Sequence, residues 1–164
     1  MVKNDGFTLV ELIIVVGIFG LLLGMAAIAA HDWLINAQVE DQMREMYSDL
    51  MNARASAMQR NRTFFVTLGA NQYAVYEDSS PPPDGDDHLQ TGTGQDTRVT
   101  QRTTKYTLGT SGTVTLFTFS NTGLVSSDFS VRGISNASPA FDCIDLSTTR
   151  ILMGKWDGTK CDAK

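Results

Sequence analysis

Six mostly polar residues open the chain, and an apolar run of 24 residues follows from Phe7 to Ala30, broken by one charge, Glu11. As a helix rising ~1.5 Å per residue, that run is about 36 Å long, enough to cross a hydrocarbon core of about 30 Å. The pattern predicts a transmembrane helix over 7–30, with Lys3 and the terminal amine favouring a cytoplasmic start. Beyond Ala30 the apolar positions thin to intervals of mostly three or four: Leu34, Met43, Met46, Tyr47, Leu50, Met51, Ala55 and Met58. This stripe predicts that the helix continues over 31–62 as an amphipathic segment, with Glu40 and Arg44 as an i,i+4 ion pair on its polar side. The methionines of the stripe are expected in the core, as adaptable apolar filler.

From Thr63 the period changes to two. TFFVTL and YAVYE flank GANQ and predict a hairpin. RVTQRTTKYTL, TVTLFTF, the segment around FSVRGI, FDCIDLS and RILMG predict further strands, separated by GTSG, SNTG and SNASP turns. Six or seven strands result. Glu77 to Thr97 is rich in Pro, Gly, Asp and Ser and predicts a long loop that cannot bury a core. One helix ahead of a run of strands predicts an α+β fold: a long N-terminal helix, transmembrane in its first half, packed against an antiparallel head over 63–164. Roughly 100 residues are enough for such a head to have its own core.

The leader 1–6 ends at Gly6, and Gly6, Phe7, Thr8, Leu9, Val10 and Glu11 read G-F-T-L-x-E. This order resembles the processing and methylation site of type IV pilins and pseudopilins. The resemblance implies the pilin fold, cleavage between Gly6 and Phe7 by the membrane aspartic prepilin peptidase, and N-methylation of Phe7. It also implies that Glu11 guides assembly with other pilin subunits on an inner-membrane platform. The location it implies is a single-pass inner-membrane protein that passes into a periplasmic or surface filament. Physics supplies a reason for the acid: an acidic residue near the centre of a membrane helix costs on the order of 2.5 to 3.5 kcal/mol. A neighbour's Phe7 amine, charged below a pKa of about 8, would neutralise it. The plainer alternative is a carboxylate that reaches the headgroups. Gly17, Gly20 and Gly24 suit close helix packing through the GxxxG pair 20–24, although glycine is also common in membrane helices generally. Ile28 stands where many pilins carry proline.

A secretory signal peptide is the competing reading, because Ala27, Ile28, Ala29 and Ala30 offer an A-x-A site. The length of the apolar run, the weak basic flank of Lys3 against Asp5, and the internal acid count against it.

A narrower resemblance rests on Ala53, Arg54, Ala57, Arg60 and Asn61, the strand FFVTL, the turn Phe119 to Gly123, and Leu146, Ser147 and Arg150. These are similar to the minor pseudopilin group GspH/FimT, which implies a low-copy tip or initiator subunit of a type II secretion pseudopilus or type IV pilus. Two alternatives stay open: a major pilin forming the filament bulk, and a tip pilin that binds DNA or a surface through the loop from Ser79 to Thr97. DNA-binding members carry Gly-Arg-x-Arg where this chain has Thr149, Arg150, Ile151 and Leu152. The net charge of −5, unchanged on removing Lys3 and Asp5, gives no general cationic surface. Arg98, Arg102 and Lys105 are the candidate local patch, with Arg150 beside them as a candidate contact; alternating basic residues also suit a solvated strand face.

Cys143 and Cys161, with 17 residues between them, suggest a disulfide in an exported chain; two free thiols are the alternative. Catalytic signals are sparse. His31 and His88 stand apart, and Ser111 in GTSG lacks the nucleophile-elbow spacing. The expectation is a protein without enzymatic activity, metal or cofactor. Asp84, Asp86 and Asp87 in PDGDDH are the densest acidic group; a solvated acidic loop is the preferred reading over a calcium site, since the distal bidentate Glu is missing.

Overall fold

The computed structural model describes residues 8–82, 85–92 and 95–163, the side chains of 26–30 apart. Gly6, Phe7 and Asp84 therefore lie outside the described residues. The chain divides into two compact units, Met1–Ile35 and Asn36–Lys164. Helix α1, Leu9–Arg60, runs through both. Nine strands follow: β1 Phe64–Leu68, β2 Gln72–Glu77, β3 Thr97–Thr103, β4 Thr107–Thr110, β5 Leu116–Phe119, β6 Phe129–Ile134, β7 Cys143–Leu146, β8 Ile151–Trp156 and β9 Cys161–Ala163. They form two sheets, with orders β3-β2-β1-β5 and β4-β6-β7-β8-β9, and every pairing is antiparallel. The helix-plus-antiparallel-head architecture is the expected one. The split into two sheets and the short β9 were not expected.

In the second unit the buried face of the helix is Val39, Met43, Met46, Leu50, Ala53 and Ala57. Alternating steps of four and three hold one stripe toward the core. This corrects the expected stripe. Leu34, Met51, Ala55 and Met58 are exposed, and Tyr47 is only partly buried. Met51 and Met58 each fall one position past a core residue, Leu50 and Ala57, so simple three-or-four counting gathered two faces into one.

That face joins a single core drawn from both sheets: Phe64, Val66, Tyr73, Val75 and Phe119 from the first, and Phe129, Val131, Ile144, Leu146 and Ile151 from the second. Phe117 on β5 ties them together, with its ring edge-on to Phe119 at 5.6 Å and to Phe129 of the other sheet at 5.0 Å. Such edge contacts contribute about 0.5–1.5 kcal/mol beyond area burial. The helix closes on Asn61, which adopts φ 54°, while Arg62 N–H donates to the Ala57 carbonyl at 3.1 Å. That bond is the long closure of a Schellman motif, and asparagine is the usual substitute for glycine at its left-handed position.

RVTQRTTKYTL is not one strand. β3 and β4 belong to different sheets, and the chain changes sheet at Thr104–Tyr106. A side chain from the helix fixes the crossing: Gln42 Nε2 donates to the Tyr106 carbonyl and Gln42 Oε1 accepts from Tyr106 N–H, both at 2.9 Å. The amide stands in for a neighbouring strand and satisfies both main-chain groups of Tyr106 at the break. TVTLFTF likewise is strand only over its second half.

The loop from Asp78 to Asp96 has no helix or strand among its described residues, as expected, but it is organised around two buried carboxylates. Asp78 accepts from the N–H groups of Asp86 and Asp87 at 3.2 and 2.7 Å. Asp96 accepts from Ser79, Ser80 and Gln90 N–H at 3.1, 3.2 and 2.8 Å. Burial pushes the Asp78 carboxyl up from the usual range, against the pull of its two backbone donors.

At the far edge of the second sheet, Cys143 on β7 is bonded to Cys161 on β9, with Cα atoms 5.8 Å apart. β8 lies between these strands. Strands two places apart in a flat sheet are about 9.6 Å apart, so β9 must curl over β8. Gly154 makes room: a Cβ there would lie 2.2 Å from the Asp162 carbonyl oxygen. Asp157 then turns the hairpin, its carboxylate accepting from Thr159 and Lys160 N–H at 2.8 Å each and from the Thr159 hydroxyl at 2.9 Å.

Three outcomes are expected for the full chain in detergent micelles. Gln42→Leu, which strands the Tyr106 N–H and carbonyl, should lower stability to urea by about 1–3 kcal/mol. Replacing both cysteines by serine should cost roughly 3 kcal/mol on the loop-entropy account. The donors around Asp157 hold its carboxyl down at about 2, against about 3.9 when free. The stability it contributes is therefore complete above pH ~4 and is lost as pH falls toward 2. Asp157→Asn should remove that decline, read as amide exchange at Lys160 and Cys161 across this window.

Candidate functional site

Thr8 caps the helix, its hydroxyl oxygen accepting from Glu11 N–H at 3.2 Å while its carbonyl accepts from Leu12 N–H at 3.2 Å. T-L-V-E thus places the threonine at the N-cap and the acid three residues on, the arrangement of a capping box. A negative group in the first turn also complements the helix dipole. One local requirement of the helix thereby sets the position of the single acid in the run. On either side of it, Leu9, Val10, Leu12, Ile13, Ile14, Val15, Val16, Ile18, Phe19, Leu21, Leu22, Leu23 and Met25 are all exposed. An isolated soluble protein rarely exposes an apolar surface so continuous, and a helix apolar on all sides belongs inside a bundle or a bilayer. Gly17, Gly20 and Gly24 each have open space where a Cβ would be. Among the described residues no helix is long and apolar enough to cross a membrane; the expected 7–30 span falls partly outside them. Trp33, 68% exposed shortly past this segment, is of the type that favours membrane interfaces, and hydrophobic counting alone passed over it.

A second group gathers at the C-terminal end of α1. Ala53 and Ala57 are buried, small enough to bring the helix backbone close to the sheets. Arg54 Nη2 donates to the Thr149 carbonyl at 2.9 Å. Glu77, buried at the end of β2, receives Arg60 at 2.5 Å and Arg62 at 3.5 Å. Asn121 Nδ2 donates to Asn61 Oδ1 at 3.1 Å, binding the Phe119–Gly123 turn to the helix cap. Gly123 has φ 77°, and a Cβ there would lie 2.7 Å from Met58 Sδ. Ser147 and Arg150 close the β7–β8 turn through reciprocal main-chain bonds. These positions, grouped by sequence resemblance, are a structural joint between helix, turn and strand.

The candidate DNA contacts do not form one patch. Arg102 is engaged by Glu45 and Asp49 at 3.2 Å each, and those acids hold its guanidinium more strongly protonated than usual. Lys105 Nζ donates to Gln38 Oε1 at 2.6 Å and sits 5.7 Å from the Tyr106 ring centre. Arg98 is exposed on β3, whereas Arg150 lies in a turn of the other sheet. Asp86 and Asp87 spend carboxylate oxygens on His88 N–H, Gln90 Nε2 and the Thr63 hydroxyl. Among the described residues no group of three or more His, Cys, Asp or Glu is arranged to hold a metal. His31 is exposed on the helix, and Ser111 Oγ accepts from Ser130 N–H at 2.7 Å as part of a strand end.

The model of the family described as type II transport protein GspH matches residues 42–150. The prokaryotic N-terminal methylation motif matches residues 1–27. A sequence comparison with curated proteins gives no match. In fold the chain is similar to the type IV minor pilin FimU of Pseudomonas aeruginosa, with a TM-score of 0.54 at 12% identity, covering 74% of this chain and 91% of that one. It is also similar to the minor pseudopilin EpsH from the Type 2 Secretion System of Vibrio cholerae, with a TM-score of 0.52 at 12% identity, covering 72% and 97%. The GspH match takes in well over half of the chain, most of the core face of α1 and the strands β1 to β7 included, and the chain belongs to the GspH family of type II transport proteins.

Proposed function

We propose that this chain is a minor subunit of a type IV pilus or type II secretion pseudopilus, assembled with other pilin subunits through its N-terminal helix, and that its role is structural rather than catalytic. The observation that carries this reading is the exposed apolar helix from Leu9 to Met25, bearing one acid in its capped first turn, in a chain of the GspH family. Residues 7–30 hold the precursor in the inner membrane. The prepilin peptidase cuts between Gly6 and Phe7, Phe7 is methylated on its new amine, and the assembly platform draws the helix into the filament.

The energetics give the acid its purpose. Burying Glu11 without a partner is costly, and a single subunit cannot avoid this except by keeping the carboxylate near water. Docking beside a neighbour's Phe7 amine supplies an opposite charge at one axial offset only. A misregistered subunit leaves both charges unpaired, so the pair sets register more than it adds net stability. Gly20 and Gly24 allow neighbouring helices to approach closely.

Mass spectrometry of sheared filaments and of the membrane fraction tests the reading. A methylated Phe7 terminus at low abundance is expected; a terminus at Ala30 would overturn it, and dominance of the filament would make the chain the major subunit. Glu11→Ala and Gly20→Leu should leave unfolding of the head unchanged and cut filament incorporation at least about tenfold, a loss of ~1.4 kcal/mol or more. Normal incorporation of Glu11→Ala would remove the register role.

A further inference from the structure

The apolar run from Phe7 to Ala30 reaches about 36 Å as a helix, against a hydrocarbon core of about 30 Å. Apolar length alone therefore leaves the depth of the helix free by about one turn. On the reading that this helix holds the precursor in the inner membrane, the polar groups at its two ends decide between the placements.

A core that began at Phe7 would take in Glu11 one turn down, about 6 Å deep, where an acid is costly. It would end near residue 27 and leave Trp33 about 9 Å beyond. The headgroup layer on each side is only about 5–7 Å thick, so the indole, 68% exposed on the helix, would stand in water. A core that begins at Glu11 fits better. The rise from Glu11 to Ala30 is about 28–29 Å, one core thickness. His31 and Asp32, both exposed, then fall just outside it, and Trp33 lies about 4–5 Å outside, within the headgroup layer. A further shift is closed, because it would draw His31 and Asp32 into hydrocarbon.

Side-chain direction favours the same placement. Cα–Cβ bonds on a helix tilt toward its N-terminus, so the Glu11 carboxylate leans out to the near headgroups while the Trp33 ring leans back over the far edge of the core. The indole N–H of Trp33 makes no hydrogen bond among the described residues. An apolar ring with a wet N–H is the kind of side chain that this layer accommodates.

We propose that the Trp33 indole seats among the lipid headgroups on the far side of the bilayer, and that this contact holds Glu11 at the near headgroups, so that an unassembled chain keeps its carboxylate hydrated. Trp33 is thus the depth stop of the helix. The cost of burying Glu11 arises only as the helix leaves the bilayer for a neighbour, when the indole must also leave its layer.

The test uses the full chain in vesicles of phosphatidylcholine brominated either just below the headgroups or near the chain ends, and reads the quenching of single tryptophans. Trp33 and Trp156 are the two in the chain, so Trp156→Phe isolates Trp33. Its emission should be quenched roughly twofold more by the shallow bromines than by the deep ones, given the ~15 Å between headgroup level and bilayer centre. Trp33→Tyr keeps an interfacial side chain and frees the signal for a second reporter. In that background Leu12→Trp should show the same shallow preference, and Leu22→Trp, midway between Glu11 and Trp33, the reverse. Replacing the tyrosine by alanine should bring the shallow and deep values at position 12 together. A chain that does not float with the vesicles would overturn the membrane reading and this inference together. A chain that floats, but with Trp33 insensitive to both bromines, or quenched more by the deep ones, or with position 12 unmoved by the alanine, would overturn this inference alone.

Discussion

Everything in the head depends on one helical face, Val39 to Ala57, being covered by two sheets at once. Each sheet turns one apolar face inward, and such a face must be buried against another element. The helix provides that surface, and Phe117 joins the sheets across it. The consequence is that the chain must change sheet within a few residues, and the main-chain groups freed at the change must be satisfied. Gln42 does this for Tyr106. It stands one residue before Met43, so the same helical turn that buries an apolar side chain presents the amide that closes the sheet break.

The polar groups inside this head follow the same logic. Glu77, Asp78 and Asp96 are buried acids, and each is met by donors already at hand: guanidiniums for the first, backbone N–H groups for the other two. A carboxylate accepting several backbone donors acts as a local organiser, because each donor it takes is one the loop need not leave unpaired. This explains how the described residues of a segment dense in Pro, Gly and Asp are ordered without forming a strand or helix.

The sequence was most informative where a period is long and unbroken. The helix, the β1–β2 hairpin, and the strands β6, β7 and β8 follow from apolar spacing and turn residues, since each element there is longer than the uncertainty of its ends. The exposure of Met51 and Met58 was not legible, because each follows a buried apolar residue, Leu50 and Ala57, and positions one apart on a helix differ by about 100° although both are apolar. Nor was the break at Thr104–Tyr106, where TTKYT has uninterrupted strand propensity and the deciding contact comes from 64 residues earlier in the chain. The internal order of the loop was not legible for a related reason: the donors that meet Asp78 and Asp96 are brought in by the fold. Of the candidate site, the cap at Thr8 was readable as T-x-x-E, whereas the engagement of Arg102 by Glu45 and Asp49 depended on which face of β3 meets the helix.

The same residues that start the helix also constrain how it can be used. Thr8 satisfies the Glu11 N–H, so the acid's main chain is settled locally while its carboxylate is left without an intrachain role in the described structure. In water this costs nothing. Surrounded by apolar side chains from residue 9 onward, the carboxylate becomes the one group whose free energy depends strongly on what lies beside the helix. Apolar contact would favour many axial offsets almost equally, because the run from Leu9 to Met25 presents similar surface at every turn. A single charge removes that degeneracy: an offset that brings a cation alongside is favoured over the rest, and under the proposed processing that cation would be the amine freed at Phe7. In the proposed assembly, register and readiness would thereby be tied to one side chain.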